Sequence, residues 1–191
     1  TGLGEAILVR ESRRWRPMAS EGGHADFAAC DAFEDGLLHW LRGRHGHVSY
    51  ERVLSGRGLV DLYHFMRETG RGEEPAAIAA ECDAAPDPAG VITRTALDGS
   101  CERAALAIER FLRIYGAEAG NLALKSLAVG GVFVGGGIAP RLLPALRDGG
   151  FVRAFADKGR LGPLMEAIPV HVILDDPTAC WGAAAVAVAL T

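Results

Sequence analysis

Three short stretches of the sequence hold residue types that can do chemistry. Glu21-Gly22-Gly23-His24 sets a carboxylate and an imidazole around a glycine pair, and a second carboxylate, Glu51, follows thirty residues after the first. Carboxylates accept paired hydrogen bonds and an imidazole adds a donor or an acceptor, so the set suits the vicinal hydroxyls of a sugar. Taken singly, Glu51 also reads as a solvated acid in a first helical turn, and His24 as an ordinary paired polar residue. Thr1-Gly2-Leu3-Gly4 puts a hydroxyl and open glycine N–H groups ahead of an apolar run. Such a backbone nest can hold phosphate oxygens, and an ordinary turn has the same sequence. Gly135-Gly136-Gly137-Ile138-Ala139-Pro140 lies between an apolar run and a helical pattern. Missing side chains let backbone approach a nucleotide there, and a helix N-terminus favours anions. Neither the G-x-G-x-x-G nor the G-x-x-x-x-G-K-[ST] pattern is present, and a tight packing turn is the other reading.

Two further groups carry weaker signals. His45-Gly46-His47 has the look of a metal pair, but no cysteine or further histidine cluster accompanies it. Asp175-Asp176 can bind Mg²⁺ or, as the simpler reading, end a strand and cap the last helix. Cys30, Cys82, Cys101 and Cys180 form no C-x-x-C pair. That argues against structural zinc and a disulfide framework, and for reduced thiols in a cytosolic protein.

The elements that must position these residues follow from pattern. Residues 4–10 read as a strand and residues 15–19 as its hairpin partner. Residues 31–44 read as a helix with Asp31 as cap. A short helix opens at Ser49 and stops at Gly56, and residues 58–69 form another, ended by Gly70. Residues 76–84 are a weak Ala-rich helix, broken by Ala85-Pro86-Asp87-Pro88. One long helical pattern runs over residues 100–128. Residues 129–134 and 170–174 read as apolar strands, with a helix from about Pro140 between them and a last helix from Thr178. Mixed strands and helices with glycine turns at strand ends argue an α/β fold.

The 191 residues are 49% hydrophobic and 23% charged, which is globular rather than disordered composition and fits one domain. Twenty Lys and Arg against 24 Asp and Glu leave a net charge of −4, with no basic stripe for nucleic acid. The apolar C-terminal run from Thr178 is too short to span a bilayer. The chain begins with Thr1, and no signal peptide is visible.

Together these motifs resemble the bacterial, proteobacterial-type glucokinase family of the actin-like, hexokinase-like kinases. The resemblance runs along nearly the whole chain. Its most specific stretch is Gly46-His47-Val48-Ser49, then Glu51-Arg52-Val53-Leu54-Ser55-Gly56. Gly120-Asn121-Leu122-Ala123-Leu124 and the 130–141 glycine region are similar to its adenosine region. Thr1-Gly2-Leu3-Gly4 is similar to the tail of its phosphate motif. The resemblance implies an actin-like ATPase (ribonuclease H-like) large domain, with a mixed sheet and flanking helices. Residues 1–191 would be the C-terminal large domain of a two-domain sugar kinase, and the N-terminal small domain would lie outside them. The implied reaction is ATP-dependent phosphorylation of D-glucose at O6, with Mg²⁺, in the cytoplasm. Glu21, His24 and Glu51 would bind glucose hydroxyls. Thr1 and Gly2 would face the nucleotide phosphates, and Gly136, Gly137 and Ile138 the adenosine. The base Asp is expected upstream of Thr1, so residues 1–191 alone are expected to be inactive. A homodimer is implied by the same resemblance. ROK-type relatives carry a zinc-binding cysteine cluster, which this chain lacks. Asp175-Asp176-Pro177 departs from the family's Asp-Asn-Pro. A non-catalytic sugar-binding or regulatory module and a kinase for another hexose remain the alternative readings.

Overall fold

Glycine punctuation and apolar periodicity cut the chain into short elements, and a computed structural model places them over residues 2–12, 14–175 and 177–189. Two compact units result, Thr1–Tyr115 and Gly116–Thr191.

The first unit opens with β1 (Glu5–Glu11) and β2 (Arg14–Ser20), paired antiparallel from Glu5↔Ser20 to Glu11↔Arg14. Ser12 takes the left-handed backbone, φ 56°, that a tight hairpin turn demands. Ile7 and Val9 are half-buried and alternate with exposed residues, while all of β2 is exposed. α1 (Ala32–His45) starts where the Asp31 carboxylate accepts from Glu34 N–H at 2.9 Å, and it ends at Gly46. α2 (Tyr50–Val53) and α3 (Gly56–Glu68) follow, then α4 (Ala76–Ala84), α5 (Pro88–Leu97) and α6 (Glu102–Ser126). Leu37 and Leu41 of α1, Leu62, Tyr63 and Met66 of α3, Ile92 of α5 and Phe111 of α6 form the core, each almost wholly buried. Each such aliphatic side chain contributes roughly 1.5–3 kcal/mol of burial.

Two expectations shift here. The short helix after Ser49 ends at Val53, not Gly56, because Ser55 already caps α3: its hydroxyl accepts from Gly58 N–H at 3.1 Å. The Pro-rich break at 85–88 also starts a helix. Asp87 accepts from Gly90 N–H at 3.3 Å and Pro88 sits in the first turn, where its missing N–H costs nothing.

The second unit takes the end of α6 and adds β3 (Val132–Val134), α7 (Leu143–Arg147), α8 (Gly150–Ala156), α9 (Gly162–Glu166), β4 (Val170–Val172) and α10 (Thr178–Ala189). β3 and β4 pair in parallel, Val132↔Val170 to Val134↔Val172, and the α7–α9 segment supplies the crossover that a parallel pair requires. Gly116 and Gly120 let the α8 backbone lie directly on α6. A Cβ at Gly116 would come 2.9 Å from the Phe151 carbonyl carbon and overlap its oxygen. Phe151, Phe155, Leu142 and Met165 fill this core.

The structure is mixed α/β, as the pattern requires. The resemblance implies a mixed sheet, and the described residues form two two-stranded ladders, one antiparallel and one parallel. β2 carries Pro17, which has no N–H to donate and suits an edge. β3 begins at Val132 rather than Val129, because the chain first turns: Leu127 has φ 47° and Gly131 N–H donates to Ala128 C=O at 3.0 Å. The helix expected from Pro140 begins at Leu143. Among the described residues, no helix is long and apolar enough to cross a membrane.

Candidate functional site

Glycines at 22 and 23 allow residues 22–24 to close into a single 3-10 turn. His24 N–H donates to Glu21 C=O and Ala25 N–H to Gly22 C=O, both at 2.9 Å. This turn is tied to the segment before α2 by backbone. Phe27 N–H donates to Val48 C=O at 3.0 Å, Tyr50 N–H donates to Ala25 C=O at 3.0 Å, and Asp26 bridges Ser49. The Phe27 and Tyr50 rings meet edge to face at 5.6 Å below it. The Asp26 carboxylate also pairs with His47 Nε2 at 2.7 Å.

Those ties carry Glu51, in the first turn of α2, to His24. Its Oε2 stands 3.7 Å from His24 Nε2, and Glu21 Oε2 stands 4.0 Å from the same nitrogen. The three side chains stay open to solvent, with Glu51 the most enclosed at 35% exposure and Glu21 the least at 91%. Two carboxylates and an imidazole around one open spot can accept and donate to several hydroxyls at once, with charge-assisted strength. Gly2 stands beside them: a Cβ there would lie 2.5 Å from Glu51 Cδ. Thr1 lies outside the described residues.

The second unit holds a separate glycine turn. After β3 the chain turns through Gly136 at φ 90°, a conformation that disfavours any side chain. Gly136 and Gly137 line a cavity of about 490 Å³ together with Pro140, Arg141 and Leu174. Ile138 is half-buried outside that lining, and its carbonyl accepts from Leu142 N–H at 3.1 Å. Of the other walls, Pro140 and Arg141 lie in the stretch similar to an adenosine region but had no assigned role, and Leu174 was not singled out. The Pro140-Arg141 step three residues beyond Gly137 was the available signal, whereas Leu174 arrives from thirty-odd residues away.

The weaker groups resolve locally. His45 pairs with Asp61 at 3.2 Å and His47 with Asp26, so the two imidazoles of His45-Gly46-His47 have different partners. The Asp175 carbonyl and carboxylate accept from the Thr178 hydroxyl at 2.7 and 3.4 Å, which starts α10; Asp176 lies outside the described residues. The four cysteines form no disulfide.

Similarity to known proteins runs over both units. A family model described as Glucokinase matches residues 1–190. The chain is 40% identical to a glucokinase of Nostoc sp., covering 96% of this chain and 57% of that protein. It is 42% identical to a glucokinase of Photorhabdus laumondii, covering 91% and 51%. The chain thus spans about half the length of the curated relatives it matches. Among solved structures, the glucokinase of an Antarctic psychrotroph superposes with a TM-score of 0.79 at 35% identity, over 97% of this chain and 54% of that one. A Balamuthia mandrillaris glucokinase, solved in complex with glucose, shares the fold with a TM-score of 0.68 at 21% identity, over 90% and 47%.

Proposed function

The chain belongs to the glucokinase family, and from that premise we propose that residues 1–191 are the C-terminal large domain of a two-domain, actin-like ATPase-type sugar kinase. The whole protein transfers the γ-phosphoryl group of ATP to O6 of D-glucose. The observation that carries this reading is the meeting of Glu21, His24 and Glu51 on one open face, with Glu51 Oε2 held 3.7 Å from His24 Nε2. Glu51 and Glu21 accept from the sugar hydroxyls and His24 fixes a third contact, which orients O6 rather than activating it. Thr1 and Gly2 serve the nucleotide phosphates. Gly136 and Gly137 lie against the adenosine in the 490 Å³ cavity, and Ile138 follows them outside its lining.

In this scheme O6 attacks the γ-phosphorus in line, the new O6–P bond forms, and the bond from phosphorus to the β–γ bridging oxygen breaks. ADP leaves with that electron pair. The O6 proton passes to an aspartate that the proposal assigns to a segment outside residues 1–191. Such transfers depend mainly on positioning and charge stabilisation. Mg²⁺ enters as the nucleotide's own partner. Among the described residues no group of three or more His, Cys, Asp or Glu is placed to hold a metal ion, so no step is assigned to one held by this chain. The proposal places the protein in the cytoplasm and allows a homodimer.

The test is glucose-dependent ADP formation by the purified whole protein, run against a panel of hexoses. Turnover with glucose supports the proposal, and turnover confined to another hexose corrects the substrate. Absence of turnover with retained glucose binding favours the non-catalytic sugar-binding module.

A further inference from the structure

Residues 2–3 are wedged between the two halves of the proposed sugar site. On one side lies Glu51. A Cβ at Gly2 would stand 2.5 Å from Glu51 Cδ and 3.0 Å from Oε1, and would overlap Oε2. On the other side lies the 22–24 turn, where a Cβ at Gly23 would stand 3.0 Å from the Leu3 carbonyl carbon and overlap its oxygen. These contacts differ in what can yield. At Gly23 the obstacle is backbone, so a side chain there must deform the fold. At Gly2 the obstacle is the end of a flexible side chain, which can swing away at little cost to folding. What a methyl at Gly2 lacks is the space that the Glu51 carboxylate fills.

We propose that Gly2 is a positioning residue for Glu51: its bare Cα is the stop against which the carboxylate rests, beside His24. The proposal rests on the sugar-site reading above and adds to it a residue that the motif alone assigns to nucleotide phosphate. A methyl at position 2 leaves the fold standing and moves the carboxylate away from the sugar. The stretch proposed for ATP phosphate and the carboxylate proposed for glucose are therefore in van der Waals contact within one unit.

The experiment compares Gly2→Ala, Glu51→Ala and the double variant in the whole protein. It measures KM for glucose, KM for ATP, kcat and the thermal unfolding midpoint. Gly2→Ala is expected to raise the glucose KM at least about tenfold with an unchanged unfolding midpoint. In the Glu51→Ala background, where nothing is left to displace, the same substitution is expected to add less than twofold. Gly2→Ala combined with Glu51→Gln keeps the clash and should retain the added loss. A rise in ATP KM with glucose KM unchanged overturns the proposal, as does the full added factor in the Glu51→Ala background. A collapse of the unfolding midpoint in Gly2→Ala also overturns it, since the obstacle would then be structural. If the unsubstituted protein neither binds nor phosphorylates glucose, the sugar-site reading itself fails and this inference falls with it, an outcome separate from failure of Gly2→Ala alone.

Discussion

At the scale of single residues, the proposed roles separate by exposure. Glu51 is the most enclosed of the three site groups and Glu21 the most exposed. Water competes with an exposed carboxylate for any hydroxyl, so equal chemistry gives unequal effects. Glu51→Gln removes the charge and keeps the shape. Loss of a charge-assisted bond is worth about 2 kcal/mol, a roughly thirtyfold rise in glucose KM. Glu21→Gln should raise it by a smaller factor, and neither change should alter the KM for ATP. Steady-state kinetics with each substrate varied checks this, and equal losses for the two variants would contradict it. The residue types themselves were legible in the sequence as Glu21, His24 and Glu51. Their meeting was expected from the family resemblance and not from local pattern, because it depends on two backbone hydrogen bonds, Tyr50 to Ala25 and Phe27 to Val48, that join segments more than twenty residues apart. Arg141 and Leu174 escaped for the same reason: a cavity wall is a property of packing, and neither residue breaks a local pattern.

At the scale of elements, the helices read well where a cap and an apolar stripe agreed, as at Asp31 and α1. They read poorly where one residue served two elements. Asp87-Pro88 looked like a helix breaker because it ends α4, yet the same pair is an N-cap and first-turn proline for α5. Asp87→Ala is therefore expected to cost about 1 kcal/mol, measured by urea unfolding. A larger element-level constraint joins α3, α6 and the loop between α3 and α4. The Glu74 carboxylate, 7% exposed, accepts from Arg67 Nη2 at 2.5 Å, from Arg67 Nε, from Arg103 and from the Tyr63 hydroxyl at 2.6 Å. Burial alone would raise this carboxyl, but the hydrogen bonds from Arg67 and Tyr63 and the charge of Arg103 hold it below its usual range. Its folded pKa is thus below the unfolded one. The contribution is complete above the unfolded pKa, near about 4, and is lost as pH falls through the lower folded value. Glu74→Gln leaves Arg103 without its anion and Arg67 with Asp83 alone, and should cost about 3 kcal/mol at neutral pH. It should also flatten the loss of stability between neutral and acidic pH. Urea titrations at pH 7 and pH 3 measure both, and an unchanged acid slope would remove Glu74 from the account. No sequence pattern announced this group, since its four members come from positions 63, 67, 74 and 103.

At the scale of the whole molecule, each unit leaves large apolar side chains open to water. α10 is apolar on every face, and a helix of that kind is ordinarily buried. Here Trp181 is 68% exposed and Val186 45%, with Leu174 at 62% just before the helix. The β1–β2 hairpin leaves Leu8, Trp15 and Met18 exposed in the same way. Sequence reading gave the Ala-rich run as a helix but could not say what its faces meet, because a pattern without polar residues marks no outward side. Water-exposed apolar patches of this extent drive association. Residues 1–191 expressed alone should therefore self-associate at micromolar concentration, while the whole protein, nearly twice as long in its relatives, should do so less. Trp181→Ser with Val186→Ser should shift the isolated chain toward monomer. It should leave the unfolding midpoint in place, because neither side chain belongs to the core of its unit. Sedimentation velocity of the isolated chain, the double variant and the whole protein distinguishes these outcomes. A strictly monomeric isolated chain would mean that the apolar helix is tolerated in water. A double variant that unfolds earlier would mean that α10 contributes to folding of its own unit rather than waiting for a cover.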